Sequence, residues 1–154
     1  MNLEQAEKLA LEIIERLKPF CSRIQVAGSI RRKCPEPKDI DIVLIPSDLW
    51  MLHAELKKMG HVKMSGAKIV RVLIGMRQLD IYVADEKSWA TLLLIRTGST
   101  ENNIRLCSLA KRKGWHLAAD GRGLFNEKDE RVAGDTELSI YQALGQVYQP
   151  PELR

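Results

Sequence analysis

From Val26 to Ile45 the chain reads Val26-Ala27-Gly28-Ser29-Ile30-Arg31-Arg32-Lys33-Cys34-Pro35-Glu36-Pro37-Lys38-Asp39-Ile40-Asp41-Ile42-Val43-Leu44-Ile45, and this stretch decides the fold. A strand-like run over 23–27 stops at Gly28, and the proline-bounded loop 33–37 separates it from a second run over 39–45. The polar residues therefore collect at strand ends. Gly28 permits a phosphate to approach backbone N–H groups, Ser29 adds a hydroxyl at the start of a helix, and Arg31 and Arg32 add guanidinium forks suited to phosphate oxygens. Asp39 and Asp41 flank Ile40, so in a strand both carboxylates emerge on one face. Alone they would repel each other, and hard divalent cations reverse that repulsion. An isolated Asp-x-Asp reads more simply as a strand cap beside a solvated aspartate; the adjoining Gly-Ser and arginines favour a phosphate-and-cation site.

Working outward, Leu3, Ala6, Leu9, Ala10, Ile13, Ile14 and Leu17 recur at helical spacing ahead of Pro19. Ser47 is expected to cap a helix running to Met59, with Gly60 as its stop. Runs over 68–74 and 78–83 read as a hairpin around Gly75-Met76-Arg77. Within the second run, Asp80 is expected to supply a third carboxylate, with its apolar neighbours facing away. Asp85 reads as a helix cap and Asp48 as an early helical residue, neither with a catalytic role. Helices are expected over 87–96 and 100–113, joined through Thr97-Gly98-Ser99. Strand-like pieces follow at 115–118 and 123–125, then a helix over 136–144. The fold class is α+β, with a lobe boundary near Ala84 to Lys87.

The chain has 154 residues, is 45% apolar and carries a formal net charge of +4, enough for one core and against disorder. Arg31, Arg32, Lys33 and Lys38 form one basic cluster and Arg105, Lys111, Arg112 and Lys113 another, which suits a polyanionic partner. Cys21, Cys34 and Cys107 have no metal-ligand spacing and no even pairing, so neither a zinc site nor a disulfide framework is expected. No apolar run is long enough for a membrane span and no signal peptide opens the chain, so a soluble, cytoplasmic monomer is expected. His53, His61 and His116 read as surface or packing residues, and Trp50, Trp89 and Trp115 as core or interface residues.

Gly28-Ser29-Ile30-Arg31-Arg32, the spacing to Asp39-Ile40-Asp41, and the later Asp80 resemble the palm of a family X DNA polymerase, the DNA polymerase beta group. Thr97-Gly98-Ser99, Asn103-Ile104-Arg105, the segment 136–145 and Pro150-Pro151-Glu152-Leu153-Arg154 resemble that family's thumb, closest to bacterial members. The resemblance implies a nucleotidyltransferase palm of mixed β-sheet and flanking helices over 1–85 and a small α/β thumb over 86–154. It implies Asp39, Asp41 and Asp80 as catalytic ligands of two Mg²⁺ or Mn²⁺ ions. Gly28, Ser29 and Arg32 would hold the triphosphate, Thr97, Gly98 and Ser99 the sugar, and Asn103 the base edge. Arg105 would lie near the template, and primer-template DNA and a nucleoside triphosphate would be the partners; Lys111 and Arg112 read either as a solvated helix end or as contacts to the DNA backbone.

Departures from the family matter as well. The amino-terminal lyase domain and the carboxy-terminal phosphoesterase domain are expected to be absent. Ile95 and Arg96 stand where the family places an aromatic pair that blocks a ribose 2′-hydroxyl, so weak sugar discrimination is expected. Cys107 stands where an arginine is common. Three other readings stay open: a template-independent terminal transferase, a small nucleotidyltransferase acting on a non-DNA acceptor, and a non-catalytic DNA-binding scaffold.

Overall fold

The computed structural model describes residues 1–154 and divides into two compact units, Met1–Ala84 and Asp85–Arg154. In the first unit, α1 (Leu3–Leu17) begins at Asn2, whose side chain accepts from the Gln5 backbone N–H while Gln5 reciprocates, a capping box that satisfies two end donors. Ala6, Ala10, Ile13 and Leu17 recur at intervals of three or four and are buried. Next come β1 (Cys21–Val26), α2 (Gly28–Arg31), β2 (Ile40–Pro46), α3 (Leu49–Met59), β3 (His61–Ser65), β4 (Ile69–Ile74) and β5 (Arg77–Val83).

These five strands form one mixed sheet in the order β1-β2-β5-β4-β3, in which β2 and β5 run parallel and every other pair antiparallel. Alternation assigns its faces. Ile40, Ile42, Leu44, Leu79, Ile81, Val70 and Val72 are fully buried in one core with the apolar stripe of α1 and with Leu52 and Leu56 of α3. The residues between them, Asp41, Asp80 and Arg71, are thereby turned to the other face.

The second unit contains α4 (Trp89–Thr97), α5 (Thr100–Arg112), β6 (His116–Ala118), β7 (Gly123–Phe125), β8 (Arg131–Ala133) and α6 (Glu137–Ala143), with β6-β7-β8 as a three-stranded antiparallel sheet. Leu94, Leu106, Ala110, Leu117, Leu124, Ile140 and Tyr141 close its core. Its last residue, Arg154, has a fully buried side chain that bonds Glu137 at 3.0 Å and the Gln149 carbonyl at 2.8 Å and lies against the rings of Tyr141 and Tyr148.

Several expectations need correction. β3 and β8 were not expected; β3 is an edge strand in which only Val62 is even half-buried, so it lacks the alternation that marks a strand. Asp48, not Ser47, caps α3, accepting from the Met51 N–H at 3.0 Å. The hairpin turn between β4 and β5 holds two residues, Gly75 and Met76, rather than three. Trp50 is no core residue, being 84% exposed, whereas Trp89 is buried and Trp115 half-buried. Asp85 caps a turn ahead of α4 by accepting from the Ser88 N–H at 2.8 Å, and that bond holds its carboxyl below the usual range.

Candidate active site

Strand register builds the first unit's site. Asp41 on β2 is the direct partner of Asp80 on β5, and Asp80 is in turn the direct partner of Arg71 on β4. Cross-strand partners point to the same face, so the sheet carries one row of Asp41, Asp80 and Arg71. Gly28 extends the row past the end of β1, where the Ala27 N–H donates to the Asp41 carbonyl at 2.8 Å. Gly28 adopts φ +60°, and a Cβ there would overlap the Asp41 carboxylate, lying 2.9 Å from its Cγ. Glycine is required twice over at this point, by conformation and by space.

Asp80 is 5% exposed, and such burial of a carboxylate demands partners. Arg71 Nε donates to its Oδ1 at 2.8 Å, Gln78 Nε2 to its Oδ2 at 3.1 Å, and a second Arg71 nitrogen to Oδ2 at a longer 3.4 Å. The hydrogen bond with Asp80 and the charge behind it hold the Arg71 guanidinium above its ordinary pKa. Asp41 receives a long contact, 3.4 Å, from the Tyr82 hydroxyl. Asp39 lies just before β2 and is exposed. The register thus brings Asp41 and Asp80 together. No three His, Cys, Asp or Glu side chains are arranged to hold one ion, and Arg71 and Gln78 engage Asp80 instead. The donors present are carboxylate oxygens from neighbouring strands, a set that fits a hard divalent cation such as Mg²⁺ or Mn²⁺.

Ser29 and Arg32 lie in and directly after the four-residue α2, on the chain leaving Gly28. Arg32 donates to Cys34 Sγ at 3.7 Å. None of Arg71, Gln78 and Tyr82 was singled out in the sequence. Their signal was present in β-strand parity: Gln78 and Tyr82 sit two residues either side of Asp80 and share its face.

In the second unit Thr97 and Gly98 are buried, and the Ser99 hydroxyl caps α5 by accepting the Asn102 N–H at 3.2 Å. Asn103 donates to the Ile95 carbonyl at 2.8 Å, while its own Oδ1 is buried without a partner. Arg105 is exposed and bonds Asn102 and Gln146, and Ser99, Asn102, Arg105 and Arg154 help line a cleft of about 350 Å³. Lys111 and Arg112 are exposed in the last turn of α5, where cations complement the helix dipole. Sequence reading also passed over Asn102, which is 5% exposed and donates to the Tyr141 hydroxyl at 3.2 Å.

No helix is long and apolar enough to cross a membrane. Residues 92–154 match the family model of the DNA polymerase beta thumb. Over 97% of its length the chain is 29% identical to the DNA polymerase/3′-5′ exonuclease PolX of Bacillus subtilis (strain 168). It spans 27% of that relative's length. Together with the mixed sheet, these similarities support a family X DNA polymerase-like protein.

Proposed function

We propose that this chain transfers a nucleoside monophosphate from a nucleoside triphosphate to the 3′-hydroxyl of a DNA primer, in a metal-dependent reaction that releases pyrophosphate. The observation that carries the reading is the row in which Asp41 and Asp80 meet across parallel strands with Gly28 alongside. Asp39, Asp41 and Asp80 are the residues that would hold Mg²⁺ or Mn²⁺, and bound ions would supply charge stabilisation at the attacking and leaving oxygens. The 3′-hydroxyl proton passes toward Asp80, the freed oxygen attacks the α-phosphorus, and the bond to the bridging oxygen breaks. Gly28, Ser29 and Arg32 hold the leaving phosphates.

In the second unit, Thr97, Gly98, Ser99 and Asn103 are assigned to the sugar and base of the incoming nucleotide. Arg105, Lys111 and Arg112 are assigned to the DNA. So few cationic contacts favour low processivity and an affinity that falls steeply with salt, as suits short repair synthesis. Ile95 and Arg96 ahead of Thr97 leave a ribose 2′-hydroxyl unopposed by an aromatic ring.

Primer extension with no template, an open template and a gapped template tests this reading, with Asp80→Ala as the blank. Template-dependent extension that falls at least ~100-fold in Asp80→Ala is expected, since the lost stabilisation amounts to several kcal/mol. Comparable rates with deoxy- and ribonucleotides are expected in the same assay. Extension retained by Asp80→Ala overturns the assignment, and extension without template favours a terminal transferase.

A further inference from the structure

Asp80 is a firmly anchored carboxylate, and its anchor is a cation on the neighbouring strand. An ionised carboxylate offers about four lone-pair positions. Three donors already converge on Asp80: Arg71 Nε at 2.8 Å, Gln78 Nε2 at 3.1 Å and the second Arg71 nitrogen at 3.4 Å. The Arg71 side chain is 36% exposed against 7% for Asp80, so the guanidinium has water to turn toward while the carboxylate has little. A cation arriving at Asp80 must share the carboxylate with a charge already there, or displace it. Gln78 is neutral and imposes no such exclusion.

We propose that Arg71 is a positioning residue for Asp80 that also stands in for a bound cation. It fixes the carboxylate's orientation and lowers its affinity for a divalent ion until a bound triphosphate adds negative charge. The inference rests on the reading of Asp80 as a metal-binding carboxylate, and it assigns a role to a residue outside the carboxylate and phosphate set. Arginine suits the task because its planar fork sets direction as well as charge, which lysine supplies only in part.

The test combines Mn²⁺ binding to the nucleotide-free protein, followed by electron paramagnetic resonance, with the rate of nucleotide addition at saturating Mn²⁺. Arg71→Gln is expected to bind Mn²⁺ about two- to fivefold more tightly, the range set by a partly exposed ion pair. Its addition rate is expected to fall roughly 10- to 100-fold, as for other residues that orient a metal-binding side chain. These opposite movements are the signature, because a merely structural arginine would weaken both together. Arg71→Lys, which keeps the charge and loses the fork, is expected to bind Mn²⁺ as the parent does while adding nucleotides at an intermediate rate. If Arg71→Gln does not fold, Arg71→Lys decides: parental binding with a reduced rate supports the role, and a parental rate overturns it. Joint weakening in Arg71→Gln, or no change in either quantity, also overturns it. A parent chain that adds no nucleotide refutes the functional reading instead, which keeps the two failures apart.

Discussion

Arg71 and Arg154 each hold a carboxylate at hydrogen-bond distance, 2.8 Å to Asp80 and 3.0 Å to Glu137, and they serve different ends. Arg154 is fully buried, lies against two tyrosine rings and bonds a backbone carbonyl besides its acidic partner. Arg71 is one-third exposed, and its partner stands beside a second carboxylate, Asp41, with which it shares a face. The first pair is closed, since its guanidinium is engaged by a carboxylate, a backbone carbonyl and two rings of its own unit. The second is open, because its guanidinium is partly exposed and a further carboxylate, Asp41, stands beside its partner. Ion-pair length alone therefore says little about purpose; exposure and the next neighbour say more.

The comparison breaks most visibly at Arg154. Arg154→Ala takes the guanidinium away from the largely buried Glu137 carboxylate, which is expected to cost the second unit roughly 3–5 kcal/mol in chemical denaturation. Replacing both partners, Arg154→Met with Glu137→Leu, is expected to recover much of that loss, since apolar residues of similar size avoid desolvating two charges. Failure to recover would assign the stability to the tyrosine contacts instead.

A smaller effect sharpens the open side. Gly28→Ala changes no charge, yet it forces a side chain into the left-handed region, at about 1–2 kcal/mol, and onto the Asp41 carboxylate. Loss of nucleotide addition is expected to exceed what the lost stability explains, as seen by comparing rates at a temperature where the variant is fully folded. A rate unchanged under those conditions would separate Gly28 from the site.

The smallest effect concerns pH. Both arginines are held more firmly protonated than usual: Arg71 first by its Asp80 hydrogen bond, and Arg154 against burial, its largest single influence, because the hydrogen bond and charge of Glu137 with Tyr141 and Tyr148 together exceed it. Loss of stability on mild alkaline titration should therefore come from another group. Burial pushes the Cys21 thiol from 9.0 up to about 11. Its protonated form is favoured by folding, so that contribution is complete below pH 9 and is lost as pH rises toward 11. Urea denaturation across this window is expected to show a decline that Cys21→Ala flattens.

Much of this was legible in the residues. Gly28-Ser29, the Asp39-x-Asp41 parity and the β-branched run around Asp80 predicted strand ends bearing carboxylates, and the sheet places Asp41 beside Asp80. Arg71 was hidden by a single residue. A turn of three residues at Gly75-Met76-Arg77 would set Val72 opposite Asp80, whereas the two-residue turn sets Arg71 there. Gly75 at φ +61° occupies the first turn position, where a type II′ hairpin turn needs glycine. Slipping by one residue reverses the face of a whole strand, so this small error concealed the site's cation. That Asp80 belongs to a strand adjacent to β2 was expected from the chemistry, but the parallel register was not legible, because parallel neighbours are joined through distant chain and no local pattern states it. Trp50 misled for another reason: its size argues for burial, yet on α3 it falls outside the stripe of Leu52 and Leu56 that meets the core.

The two-residue turn at Gly75-Met76 acts as a gauge. Met76 is 99% exposed, and a Cβ at Gly75 would meet nothing within 4 Å, so neither position is crowded by the rest of the chain. Their number is what matters. Counting outward from them, four steps along each strand deliver a cation to a carboxylate. Composition here can change within the limits of turn conformation, while a change of length would uncouple Arg71 from Asp80 without altering Gly28, Asp41 or Asp80 themselves.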